Sequence, residues 1–376
     1  MSRSAVRYSA AMRLSGAVLV VCVAGALYVS VGRHAWREEL PARLSDEAFW
    51  QLVTDLSEPG GSFISDNFVS NERTFQRVVP ELRRTAGPRG VYLGVGPDQN
   101  FTYIAALEPR MAFIIDIRRQ NMLLHLMYKA LIELSATRAE FLSRLFSRPP
   151  PRVGAPEIGG LVDWYQRAAS DRALFDRNVR EVAGSLIGRH RFPLWEDDIA
   201  AIERIERAFF EAGPELRYSY PHRWFPSFAE LVLETDDRGE HHGYLSTEEA
   251  FQRLKQLETK NLVIPVIGDF AGSKAVRAVG HYLNAHGARV SAFYTSNVEF
   301  YLFEHGGWNA FAANVATLPL DRNSVFIRAH FDNGARQGSR STTELDPIGR
   351  VMAEYHEGRI RSYADIFHSA DRVLAH

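Results

Sequence analysis

Apolar positions change their period along this chain, and the changes mark its elements. Leu14 to Val31 is an uncharged run of 18 residues with no polar face. Between 45 and 57, Phe49, Leu52, Val53 and Leu56 recur at helical spacing behind Ser45, a candidate N-cap, which predicts a helix. A second helix is predicted over 73–85. The short apolar run Val91-Tyr92-Leu93 ends in Gly94 and Gly96, and a helical stretch follows from Phe101 to Leu107. A further apolar run, Met111 to Ile115, closes on Asp116. A long helix is predicted from Asn121 to Phe146, with Leu123, Leu124, Met127, Leu131 and Leu134 on one broad stripe. Prolines and glycine between Arg148 and Pro156 break it. Residues 160–212 then read as two or three helices.

Alternation resumes beyond 226. Strands are predicted at Glu230–Glu234, Leu262–Ile267, Arg289–Tyr294 and Ser324–Ile327. Between them lie a helix over 247–258 opened by a Ser246-to-Glu249 capping box, one from Lys274 to His286, and one starting at Val298. Strand alternating with helix predicts an α/β protein with a doubly wound, mostly parallel sheet. The expected organisation is a basic N-terminus (1–13), an apolar segment (14–32) and a helical N-terminal extension (33–88). An α/β domain (89–333) with a helical insertion at about 150–225 follows, and then a polar tail (334–376). In the tail Gly334 to Asp346 reads as loop, with a short amphipathic helix after Pro347.

The first segment changes the picture of location. Arg3, Arg7 and Arg13 precede the apolar run and Glu38 and Glu39 follow it, which predicts a single-pass transmembrane helix with a cytoplasmic N-terminus. The domain beyond it is then extracytoplasmic. A cleaved signal and a secreted protein is the alternative. Cys22, the only cysteine, lies inside this run, so no intrachain disulfide or cysteine-based metal site is possible. A formal net charge of −1 gives no global field toward nucleic acid. Positive charge is almost all arginine, lysine appearing only as Lys129, Lys255, Lys260 and Lys274.

In an open parallel sheet the ligand binds beyond the carboxyl ends of the strands. Those ends carry Gly94, Gly96, Asp98 and Asn100, then Asp116, Asp269, Asn297 with Glu299, and Arg328. Asp116 lies 22 residues beyond Gly94, close to the roughly 20 at which an acid reaches a ribose hydroxyl. The loop Glu58–Glu72, dense in small polar groups, is either a lid over that rim or a surface loop. The aromatic stretch Tyr218–Phe228 either lines a pocket or packs the insertion. His241 and His242 read as a polar turn, since neighbours on an extended chain point to opposite sides. No metal site is predicted.

The glycine stretch, Val91 to Asn100 with Asp116 after it, resembles the Rossmann-like site of class I S-adenosylmethionine-dependent methyltransferases. Tyr92 stands where that family usually has an acid, and Asp98 where it has a third glycine. A dinucleotide fingerprint would need glycine in place of Gln99, and a carboxylate at Asp98 would compete with a pyrophosphate for the helix N-terminus. The phrases Val91–Asn100 and Phe293–Glu299 also resemble those of a bacterial family of uncharacterised proteins, which implies the same fold and no established activity. The methyltransferase resemblance implies an adenosyl ligand, S-adenosylmethionine, held by Gly94, Gly96, Asp98, Asn100 and Asp116. Asp269 and Glu299 are then the candidate catalytic groups, and Asn297 and Arg328 the candidate substrate contacts. The other reading is a non-catalytic, extracytoplasmic binding or interaction protein that keeps the scaffold, away from the cytoplasm where S-adenosylmethionine is expected. Fold alone does not choose between them.

Overall fold

A computed structural model describes residues 39–63, 67–152, 157–220, 223–331 and 341–371. The predicted membrane segment and Cys22 lie outside the described residues. Among those described, no helix is long and apolar enough to cross a membrane.

Six strands form one sheet: β1 (Val91–Gly94), β2 (Met111–Asp116), β3 (Val263–Ile267), β4 (Val290–Ser296), β5 (Val325–Phe331) and β6 (Ser341–Pro347). Their order is β3-β2-β1-β4-β5-β6. The first five run parallel and β6 pairs antiparallel with β5. Every residue of β1, β2 and β3 is buried, which is why these strands read as continuous apolar runs rather than alternating ones. Strand order reverses at β1, which has β2 on one side and β4 on the other, so a crevice opens above the β1 and β4 carboxyl ends.

The helix α1 (Asp46–Leu56) begins at Ser45, whose Oγ accepts the Ala48 N–H at 3.2 Å. Short α2 (Val79–Ala86) and α3 (Gln99–Leu107) flank β1 in sequence. Residues 73–78 are turn rather than helix, with Thr74 at φ 66°. The long helix expected over 121–146 is two, α4 (Arg119–Leu134) and α5 (Arg138–Phe146). Ser135 is extended, and the Thr137 side chain caps a new helix by accepting the Glu140 N–H. The apolar stripe continues across the break, so periodicity alone did not reveal it.

The insertion holds α6 (Ile158–Arg167), α7 (Arg172–Ala183) leading into a π-helical turn, and α8 (Glu196–Ala212). His190, just past that turn, bridges Asp46 of α1 (2.8 Å) and Glu133 of α4 (2.7 Å) and so ties three elements together.

Three further expectations are corrected. Glu230–Glu234 is not a strand: its first three residues end α9 (Phe228–Val232), opened by a capping box in which Ser227 Oγ takes the Glu230 N–H and Glu230 takes the Ser227 N–H. Five residues are too few for the apolar pattern to separate helix from strand. Helix α10 (Glu248–Thr259) is capped by Thr247 rather than Ser246. The stretch expected as loop up to Asp346 contains β6, whose polar residues can occupy a strand because they lie on the sheet edge or meet buried arginines. After α10 come α11 (Ala275–Ala285), α12 (Val298–Glu304) and α13 (Trp308–Val315) between β3 and β5, and after β6 come α14 (Ile348–His356) and α15 (Tyr363–Asp371).

Candidate functional site

Above the carboxyl ends of β1 to β4 lies a cavity of about 390 Å³, lined among others by Gly96, Asp116, Arg118, Asp269, Tyr294 and Asn297. Its outer wall is the polar loop of the N-terminal extension, through Ser62, Phe63, Asn67, Ser70 and Asn71. The loop is fixed there by backbone bonds: Glu58 N–H donates to Ile267 O (3.0 Å) and Gly61 N–H to Ile117 O (2.8 Å). The Glu58 carboxylate accepts the N–H groups of Asp269 (2.8 Å) and Lys274 (3.1 Å). The described part of this loop is thus a wall of the cleft.

The two glycines of the turn serve different needs. A Cβ on Gly94 would lie 1.9 Å from Asn100 Oδ1, so this glycine makes room for a neighbouring side chain. Gly96 has φ +78° and a Cβ there would meet nothing within 4 Å, so its constraint is the backbone conformation and its open side faces the cleft. Asn100 is spent on the turn. Its Nδ2 donates to the carbonyls of Val95 (2.8 Å), Gly96 (3.2 Å) and Pro97 (2.7 Å), and its Oδ1 accepts from the Tyr92 hydroxyl (2.8 Å). It is therefore not offered to a ligand. Tyr92, odd for the resembled family, is explained by the same bond.

Asp98 does not line the cleft. Its Oδ2 accepts from the Tyr244 hydroxyl at 3.0 Å beneath the start of α3. Burial pushes its carboxyl up to about 6, against the lowering effect of Tyr244 and of its own backbone N–H. Of the first N–H groups of α3, that of Asn100 bonds Pro97 O and that of Phe101 bonds Asp98 O, so few remain for a phosphate.

Asp116 does reach the cleft, but with a companion that the spacing did not predict. Its Oδ1 accepts from the Arg118 backbone N–H (2.9 Å) and Nε (3.1 Å), and its Oδ2 from Nη2 (3.1 Å). A carboxylate has about four acceptor sites, so Oδ2 retains room for one ligand hydroxyl. Asp269 also lines the cleft, with Oδ1 holding the Ala271 N–H at 2.9 Å. Asn297 lines it at the start of α12.

Glu299 and Arg328 are elsewhere. Arg328 is wholly buried, with Nε on Glu299 (3.0 Å) and Nη1 on Asp346 of β6 (2.6 Å), and Arg350 binds the other oxygen of Asp346. Burial opposes the charge on Arg328, but the two carboxylates outweigh it and raise its pKa. This is an internal ion-pair network joining α12, β5 and β6. Neither residue faces the cleft, so the expected catalytic and substrate-binding roles have no geometric basis.

A model of the family described as Domain of unknown function (DUF7790) matches residues 67–149 and 197–346. The chain belongs to this family. No curated protein matches it. The DUF7790 match spans all six strands and the cleft wall from Asn67 onward, and leaves out most of the helical insertion.

Within the DUF7790 domain a second group sits behind the cleft floor. Glu72 is fully buried and accepts from Gln99 Nε2 (2.7 Å) and from Ser296 Oγ. Burial is the chief reason its carboxyl lies above the ordinary range, with Ser296, Gln99 and Tyr294 pulling the other way. Ser296 and Tyr294 both line the cleft. Ser296 ends β4 at φ 53°, a left-handed conformation unusual for serine, beside a register shift in the sheet. No sequence signal distinguishes Glu72, which sits in a polar loop like any surface glutamate.

The cleft continues into a larger chamber of about 610 Å³, sharing Tyr218, Asn297, Tyr301 and His305 with it. Tyr218, Tyr220 and Phe225 of the aromatic stretch thus line a cavity, while Phe228 packs against Phe146 and Phe209. Asp236, Glu240 and His242 come close enough to hold a metal ion. Asp236, however, is committed to a turn, accepting from the N–H groups of Arg238 and Glu240 and facing His242 Nε2 at 2.9 Å.

Proposed function

We propose that the cleft binds an adenosyl compound and that the chain is a methyltransferase-like enzyme acting on a second molecule in the adjoining chamber. The observation that carries this reading is the pair of contiguous cavities meeting at Asn297 and Tyr301, above the β1–β4 switch point. Asp116 Oδ2 is placed to accept one ribose hydroxyl. A base then lies toward Asp269 at the end of β3, and the 5′ substituent toward Gly96 and Tyr294. S-adenosylmethionine, when bound, would supply an electrophilic methyl group. The chain's own part is to exclude water with the wall of Ser62, Phe63, Asn67, Ser70 and Asn71 and to take up the proton an acceptor loses. Ser296 Oγ, which lines the cleft and donates to Glu72, is the group able to relay it, and the buried Glu72 carboxylate is the base.

The occupied first-turn N–H groups of α3, with Asp98 beneath them, disfavour a pyrophosphate and hence NAD. Calorimetry on the full-length protein with S-adenosylmethionine, S-adenosylhomocysteine and NAD tests the reading. Heat with an adenosyl compound and none with NAD is expected. Silence with both adenosyl compounds would favour a non-catalytic binding protein. That reading gains from one observation, that Asp98, Asn100, Glu299 and Arg328 all spend their polar groups inside the fold. We also propose that residues 14–31 anchor the chain in a membrane, as their uncharged length and the arginines before them suggest.

A further inference from the structure

The chamber beside the cleft has an unusual lining. Of its described lining residues most are aromatic, and they come from separate parts of the chain: Phe63, then Tyr218, Tyr220 and Phe225, then α12, the end of β5 and α15. The rings brace one another edge to face. Phe63 meets Tyr301 at 5.2 Å and 83°, Phe300 meets Tyr363 at 5.4 Å and 78°, and Tyr218 meets Phe225 at 4.9 Å and 66°. Rings held in this way keep fixed positions before any ligand arrives, so little ordering is needed on binding. Yet Phe300 and Tyr220 remain 38% and 36% exposed. Uncovered aromatic surface around a cavity of this size marks a binding site rather than a packing leftover.

Charge is confined to the rim. The charged residues among the described lining are Arg223 and Glu304, both exposed. Neither forms an ion pair among the described residues. Arg223 only lies over the Tyr220 ring, 5.6 Å from its centroid. Among the described residues, one unpaired cation and one unpaired anion at the mouth of an aromatic bowl suit a ligand with an aromatic body and a head carrying both charges.

We infer that the chamber binds an aromatic zwitterion of the amino-acid type, its ring among Phe300, Tyr301 and Tyr363, its carboxylate on Arg223 and its ammonium on Glu304. As the acceptor in the proposed transfer, this ligand deepens the reading above and rests on it for that role, whereas its binding does not depend on the cleft's occupant.

The test is calorimetry on the full-length protein with four probes and no adenosyl compound: L-tryptophan, indole-3-propionate, tryptamine and L-leucine. Tryptophan binds most tightly. Each probe lacking one charge binds about tenfold more weakly, and leucine, lacking the ring, more weakly still. Arg223→Gln weakens tryptophan and indole-3-propionate and leaves tryptamine unchanged. Glu304→Gln weakens tryptophan and tryptamine and leaves indole-3-propionate unchanged. Both substitutions are at exposed positions, so the variants fold and their effects on binding are readable. Equal affinity for tryptophan and either single-charge probe overturns the inference, as does no binding of tryptophan at millimolar concentration. Tryptophan binding without adenosyl binding removes the proposed function and keeps the chamber's assignment; the reverse result removes only the chamber's.

Discussion

Nε2 of His125, on α4, lies 2.8 Å from the carbonyl oxygen of Gly96, so a buried imidazole holds the one turn residue whose open side faces the cleft. Nδ1 has no partner among the described residues, which fits a neutral ring with its proton on Nε2. Burial is the main cause of a pKa lowered from 6.5 to about 4, only partly offset by the Gly96 carbonyl. The unfolded chain takes up a proton below pH 6.5 that folded His125 refuses, so this residue makes stability fall as pH drops from 6.5 toward 4. The loss between pH 6.5 and 5 is about 2 kcal/mol. Asp98, raised from 3.8 to about 6, has the opposite slope, because folded Asp98 keeps a proton that the unfolded chain gives up. His125→Gln retains a donor toward Gly96 and does not titrate. Urea unfolding at pH 5 and pH 7 should show a smaller acid loss in this variant than in wild type, and an equal loss would contradict the assignment.

The two glycines should separate stability from binding. Gly94→Ala drives a methyl group into Asn100 Oδ1 and disrupts the bonds that close the turn. A lowered denaturation midpoint is expected before any ligand is added. The Cβ of Gly96→Val meets no neighbour, but the substitution forces a β-branched residue to φ +78° at a cost of about 1–3 kcal/mol. That is at or below the roughly 2–5 kcal/mol expected for the core truncation Ile114→Ala. Folded Gly96→Val should nevertheless lose adenosyl affinity, because its side chain enters the cleft. A variant that binds as tightly as wild type would falsify the placement of the ligand there.

Asp116 and Arg118 have to be tested together. Asp116→Ala removes an acceptor for the ribose but also takes its carboxylate from the partly buried Arg118 guanidinium. In the background of Arg118→Ala, the further loss of Asp116 isolates the ribose contact. Adenosyl affinity should then fall by about 1.5–3 kcal/mol, roughly tenfold or more. Unchanged affinity in the double variant would mean that Asp116 only orders its own loop.

Arg328→Ala should destabilise the fold by about 3–5 kcal/mol, since it leaves the buried Glu299 with no cation and Asp346 with Arg350 alone. Adenosyl affinity, measured where the variant is folded, should match wild type. A selective loss of binding with stability intact would restore Glu299 and Arg328 to the site.

Membrane attachment is checked by washing membranes that contain the full-length chain with alkaline carbonate. The protein should stay in the pellet, and protease added to spheroplasts should reach the domain. Release by carbonate, or complete protection from the protease, rules out an anchored extracytoplasmic domain.

The apolar runs and the glycines already contained the parallel part of the fold. Extensive burial leaves little polar alternation to confuse, so β1 to β5 begin at or within one residue of the starts expected at Val91, Met111, Leu262, Arg289 and Ser324. Asp116, Asp269 and Asn297 were legible for the same reason, since the end of a parallel strand fixes which edge of the sheet a residue occupies. Which way a side chain turns from that edge is a different matter, set by partners remote in sequence. Tyr244 draws Asp98 under α3, and Asp346 of β6 holds Arg328, with Glu299, inside the fold. Glu72 is a buried, hydrogen-bonded carboxylate because Ser296, 224 positions later in the chain, lies beside it in space. Sequence periodicity records solvent and apolar faces, which are local averages. The direction of a single polar group depends on one donor or acceptor that only the folded chain brings near.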